Sequence, residues 1–134
     1  MAHVYSSAEQ FEALFTAMFD EIAAVDPDGM NELIDQRMVI CFELRDPELE
    51  LWIDGREKPV RTMFGHQDLD ATLTGDLTGD SMHELLLGTL PLGRALMFRK
   101  LKVKGSKSKA MRLESLLHAM QETYPALVDE VLES

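Results

Sequence analysis

The sequence predicts an α+β domain in which an antiparallel sheet is covered on one face by helices. Three observations predict it. Apolar residues recur at three and four between Phe11 and Ile22, the period changes to two from Met38, and helical spacing returns after an alternating, lysine-bearing stretch near residue 100. At 134 residues the chain fits one domain, residues 1–134, able to bury roughly two thirds of the surface of its unfolded form.

Ser7-Ala8-Glu9-Gln10 has capping-box spacing, and Phe11, Leu14, Phe15, Met18, Phe19 and Ile22 then form a stripe, which predicts a helix over 7–25. Asp26-Pro27-Asp28-Gly29 ends it, and a short helical or irregular piece follows through Asn31 to Gln36. Ile40, Phe42 and Leu44 alternate with Cys41, Glu43 and Arg45. After the turn Arg45-Asp46-Pro47-Glu48, Leu49, Leu51 and Ile53 alternate with Glu50, Trp52 and Asp54, a hairpin with one apolar face. Pro59 to Phe64 predicts a third strand, 70–74 a fourth, and 100–104 a fifth with lysine on its outer face. Between the last two, Asp80 or Ser81 caps a helix through Leu87, and Pro91 opens another through Phe98. Ser106 or Ser108 caps a helix carrying Leu113, Leu116, Leu117 and Met120, and a last short helix follows Pro125.

Charge is distributed unevenly. The net charge is −11, yet residues 85–113 hold Arg94, Arg99, Lys100, Lys102, Lys104, Lys107, Lys109 and Arg112 and no acid. That segment is +8, so the rest of the chain carries −19. One face should attract anions on a body that repels them. Nucleic acid is disfavoured, because the acidic body opposes a long phosphate track and no aromatics interleave the cations. An anionic headgroup or membrane surface, or a protein contact, suits the short basic stretch 94–112 better. The lone Cys41 lies in an apolar run, as a buried thiol would. With no signal-peptide pattern and no apolar run of roughly 18 residues, the expected setting is cytoplasmic.

Catalytic and metal patterns are missing. His3, His66, His83 and His118 stand apart, and His83-Glu84 lacks the second histidine of a zinc helix, so no metal and no cofactor are expected. The tandem LTGDLTGD of Leu73 to Asp80 reads as turn chemistry, since two copies cannot build a calcium-binding coil. Gly105 to Ser108, GSKS, lacks the first glycine of a phosphate loop and leaves a strand end followed by a helix start flanked by lysines. Nine methionines are unusual; Met18, Met82, Met97, Met111 and Met120 fall on or near predicted apolar stripes, where they pack a core or adapt to varied apolar partners.

Taken in order, LDATLTGD, LLLGTLPLGRALMF and RKLKVKGSKSKAMRLESLL resemble the sterol carrier protein 2 domain family, most closely over 70–117. The resemblance implies a five-stranded, mainly antiparallel sheet with helices over one face and an apolar tunnel between the layers. It implies a lining of Phe42, Leu44, Leu51 and Ile53 from the sheet and Leu86, Leu90, Leu96, Met97 and Met111 from helices. Lys102, Lys104, Ser106 and Lys107 would meet an anionic head or a membrane. The ending Val131-Leu132-Glu133-Ser134 departs from the peroxisomal tripeptide that eukaryotic carriers of this kind often bear. The expected function is non-catalytic binding or carriage of lipid: fatty acid, acyl-CoA, phospholipid or a sterol-like ligand. The alternative is an accessory protein that holds a partner in a lipid-linked pathway.

Overall fold

The first helix, α1 (Ala8–Val25), starts where its capping residues put it: Ser7 Oγ accepts from the Gln10 N–H at 3.1 Å. The reciprocal bond of the box is displaced by one residue, because Gln10 Oε1 accepts from the Ser6 N–H at 2.8 Å. This computed structural model describes residues 4–133, apart from the side chains of Lys107 and Glu133. Every residue of the predicted stripe, from Phe11 to Ile22, is buried. A 3-10 turn, Pro27–Met30, and a short helix, α2 (Asn31–Asp35), carry the chain to the sheet.

Strands β1 (Val39–Arg45) and β2 (Leu49–Asp54) form the predicted hairpin, and β3 (Arg61–Phe64) pairs antiparallel with β2. Strand β4 (Leu73–Thr78) lies parallel to β1, and β5 (Leu101–Lys104) antiparallel to β4. The order is β3-β2-β1-β4-β5, mainly antiparallel with one parallel pair. Alternation sorts the faces. Ile40, Phe42, Leu44, Leu51, Ile53, Leu73 and Leu77 belong to the main apolar cluster with the helices, whereas Val39, Cys41 and Trp52 form a smaller cluster on the other face.

Two expectations need correcting here. β4 begins at Leu73 rather than 70 and runs through the first Thr-Gly-Asp of the tandem repeat, so that copy is strand and not turn. Leu73, Gly75 and Leu77 keep period two on the helix-facing side, and Gly75 leaves the room its neighbour needs, since a Cβ there would stand 3.0 Å from Phe42 Cδ1. Helix α3 (Gly79–Leu87) is capped by Thr78, whose Oγ1 accepts from the Ser81 N–H at 3.0 Å, rather than by Asp80 or Ser81. It stops at Gly88, which takes the left-handed conformation at φ 81°.

After α4 (Leu92–Met97) and β5 come α5 (Lys107–Met111) and α6 (Glu114–Glu133). The predicted break at Pro125 does not occur: α6 is one helix of 20 residues with the proline inside. Pro125 is exposed, while Leu116, Ala119, Met120, Tyr124 and Val128 bury one side of α6, which packs along α1 and α3. Burial along the whole length outweighs the hydrogen bond that proline removes.

Candidate functional site

Between sheet and helices, the predicted lining residues Leu44, Leu51, Ile53, Leu86 and Leu90 are buried in the main cluster. Leu51, Ile53 and Leu77 have no surface left for a water molecule to touch, so the space around them is filled by side chains. Cavities among the described residues open at the sheet's ends. One, of about 450 Å³ near the β1–β2 turn, is of mixed character: Leu44 and Leu49 line it together with Glu43, Arg45, Glu50 and His66, so of the predicted lining residues only Leu44 reaches it. The other, of about 300 Å³, is polar and gathers Arg37, Asp54, Arg56, Glu57 and Arg61.

The apolar layer thins toward β5. Phe42, although on the helix-facing side of a central strand, is only half-buried, and Val103, on the same side of the edge strand β5, is 40% exposed. Their cross-strand partner is Gly75, which pairs with both. The room above Gly75 is taken by Phe42 and Leu101, which would stand 3.0 and 3.3 Å from a Cβ there, so the apolar face meets solvent at Phe42 and Val103 on either side of it.

Next to it the chain lays a surface arm over 91–112. Ala95 and Leu101 are buried and Ala110 is half-buried; every other described residue of the arm is exposed. Leu96, Met97 and Met111, three residues that the tunnel assignment would turn inward, stand outside, both methionines at 76% exposure. Lys102, Lys104 and Ser106 are exposed as well, and the side chain of Lys107 lies outside the described residues. Lys102 and Lys104 point to the face away from the helices, Lys102 opposite Asp76, whose Oδ1 accepts from Arg45 Nε at 3.2 Å. Among the described cations of the arm only Arg112 makes an ion pair, with Glu32 at 3.6 Å. Sequence reasoning passed over Leu92, Phe98 and Val103, which share this exposed apolar surface. For Leu92 and Phe98 the signal was the glycines at 88 and 93, which keep the segment from forming a helix long enough to bury them; for Val103 it was its place on a short lysine-bearing strand.

Other titratable groups serve the fold. Tyr5 and Tyr124 are joined by a short hydrogen bond, and the Tyr124 hydroxyl stands 2.7 Å from His83 Nδ1. Burial pushes both phenols upward and His83 downward, the last against the pull of Asp80, Glu84 and Asp129. The hydrogen-bonded chain Tyr5–Tyr124–His83 ties the N-terminal segment to α6 and α3. Burial raises the Cys41 thiol to about 12, helped by Glu50 and Glu43, so it is no nucleophile. Hydrogen bonds from Arg56 hold the Asp54 carboxyl below its ordinary value. His66 faces Glu50 at 3.5 Å and His118 faces Glu122 at 3.0 Å, each alone, while His3 lies outside the described residues. Among the described residues no three of His, Cys, Asp and Glu are gathered to hold a metal, and no helix is long and apolar enough to cross a membrane.

Comparison with known proteins agrees with this fold. The model of the SCP-2 sterol transfer family matches residues 19–118. No curated protein matches the chain. Among solved structures, the chain is similar to the apo form of sterol carrier protein 2 from Yarrowia lipolytica, at 22% identity and TM-score 0.63, over 90% of this chain and 96% of that one. It is similar to palmitated SCP2L2 from Aedes aegypti, at 19% identity and TM-score 0.57, over 80% and 93%. The sec-alkylsulfatase Pisa1 from Pseudomonas sp. matches at 17% identity and TM-score 0.55 over 65% of this chain, which spans only 14% of that enzyme's length.

Proposed function

The chain belongs to the SCP-2 sterol transfer family, and from that premise we propose that it binds and carries a lipid with a single long acyl chain, without catalysis, in the cytoplasm. One observation supports this above the others: the apolar sheet face is left thinly covered at Phe42 and Val103, beside the flexible methionines Met97 and Met111. An acyl chain would enter there and push between the layers toward Leu44, Leu51, Ile53, Leu86 and Leu90, exchanging side-chain contacts for its own. Each methylene taken out of water is worth roughly 0.8 kcal/mol, so the chain supplies the affinity. The ionised head would stay at the rim near Ser106, with Lys102 and Lys104 reaching around the edge strand β5 from its opposite face; an exposed ion pair adds about 0–1 kcal/mol and mainly orients the ligand. That a structurally similar protein is described as palmitated makes palmitate the first ligand to try.

A second reading has its own observation. The interlayer space is filled, as it would be in an accessory protein that holds a partner through its surface and takes no lipid inside. Native mass spectrometry of the protein incubated with palmitate or palmitoyl-CoA separates the two. One retained equivalent is expected; a protein that stays bare with both ligands abandons the carrier reading for the accessory one.

A further inference from the structure

From the composition of the arm 91–112, we infer that α4, β5 and α5 form a docking surface for an anionic phospholipid bilayer. The apolar part is exposed by construction. In α4, Ala95 turns inward with no exposed surface, so Met97, two residues further and about 200° around the helix, projects away from the protein. Leu92, Leu96 and Phe98 flank it, Phe98 at 63% exposure, and Val103 and Met111 continue the apolar surface onto β5 and α5. Interspersed along the chain are Arg94, Arg99, Lys100, Lys102, Lys104, Lys109 and Arg112, of which Lys102 and Lys104 leave the edge strand on the face opposite Val103, and the arm contains no acid. Arg112 alone among them is paired, so the other six keep their charge free for an outside partner.

Neither half of this pattern is accounted for inside the protein. Lysines on an edge strand also deter strand addition, and β5 is an edge strand, but that role requires no exposed methionine or phenylalanine beside them. Exposed apolar side chains alone would suit a protein partner, yet a surface of unpaired cations on a body of −19 favours a partner that is extended, anionic and apolar beneath its charge. A bilayer with anionic headgroups has that layering: cations meet the phosphates while Met97 and Phe98 reach the acyl boundary. The surface borders the thin apolar cover at Val103, so docking would bring that site against the membrane. Docking itself does not depend on the site being filled.

The test is co-flotation of the protein with vesicles of phosphatidylcholine, with and without phosphatidylglycerol. The wild type is expected to float with the phosphatidylglycerol vesicles at low salt, to be released by raised salt, and to stay behind with phosphatidylcholine alone. Removing one cation should lower partitioning about fivefold at low salt. The pair R99Q/K100Q should therefore bind much more weakly, and M97S/F98S should lose binding. All four side chains are exposed, so circular dichroism should be unchanged in both variants. Equal flotation with both vesicles, no flotation of the wild type, or undiminished flotation of either variant overturns the surface. So does a concentration-dependent dimer that M97S/F98S abolishes, which would put a second copy there. Palmitate binding of R99Q/K100Q, whose side chains lie outside the acyl site, keeps the two proposals apart: retained palmitate with lost flotation supports docking, and failed flotation of a wild type that holds palmitate sinks docking alone.

Discussion

At the scale of single residues, His83 shows how a side chain without a reaction still sets a property of the protein. It is hydrogen-bonded to Tyr124, which is hydrogen-bonded to Tyr5, and the three come from α3, α6 and the segment before α1. Protonation would put a charge on a ring that the fold takes partly out of water. Burial lowers its titration below the ordinary value near 6.5, despite Asp80, Glu84 and Asp129. The sign follows: above the unfolded value both states are neutral and the contribution is fully present, and as pH falls the unfolded chain binds its proton first, so stability is lost. Urea denaturation between about pH 8 and pH 5 should show the wild type weakening more steeply than His83→Gln, which keeps an acceptor and does not titrate. Parallel pH profiles would mean that His83 is not the group responsible. None of this triad was legible in the sequence, because Tyr5, His83 and Tyr124 are brought together only by packing. Leu44, Leu51 and Ile53 were legible, since a strand's period of two fixes a face without knowledge of what covers it.

At the scale of elements, helix α1 and the hairpin were readable because local signals agreed: cap, stripe, turn and alternation all pointed the same way. β4 and α6 were not, and for opposite reasons. In β4 the Thr-Gly-Asp repeat carries turn residues, yet the missing side chain of Gly75 is what lets Phe42 lie against the strand. In the second copy Gly79 is needed at a close approach, since a Cβ there would stand 2.6 Å from the Asp46 carbonyl oxygen under the β1–β2 turn. Identical tetrapeptides thus take different structures from their long-range neighbours. In α6 a strong local breaker loses to tertiary burial. Pro125 costs the helix a hydrogen bond to the carbonyl one turn earlier, while its ring is exposed. Pro125→Ala should therefore stabilise the protein, by about 1–3 kcal/mol in the urea midpoint analysis. A variant less stable than the wild type would show that the proline contributes a contact or a bend the fold requires.

At the scale of the whole molecule, the question is how a filled interior admits a ligand. The sequence placed the apolar face of the sheet and the basic arm, but periodicity cannot tell a wall of a cavity from a packed core, because both want the same side chains. That is why Leu51 and Met97 looked alike in the sequence and stand at opposite ends of the exposure range in the structure. If the acyl chain takes its place by displacing side chains, room made in advance should help it. Leu51→Ala removes a fully buried side chain from the sheet face and should cost about 2–5 kcal/mol of stability. A ligand that occupies the vacated space stabilises the folded state by mass action, so saturating palmitate should raise the melting temperature of the variant more than that of the wild type. Equal shifts would place the acyl chain away from Leu51, along the outer apolar surface of α4. No shift in either protein, beside the expected loss of stability, would leave the interior as an ordinary core and the arm as the part of the molecule that acts.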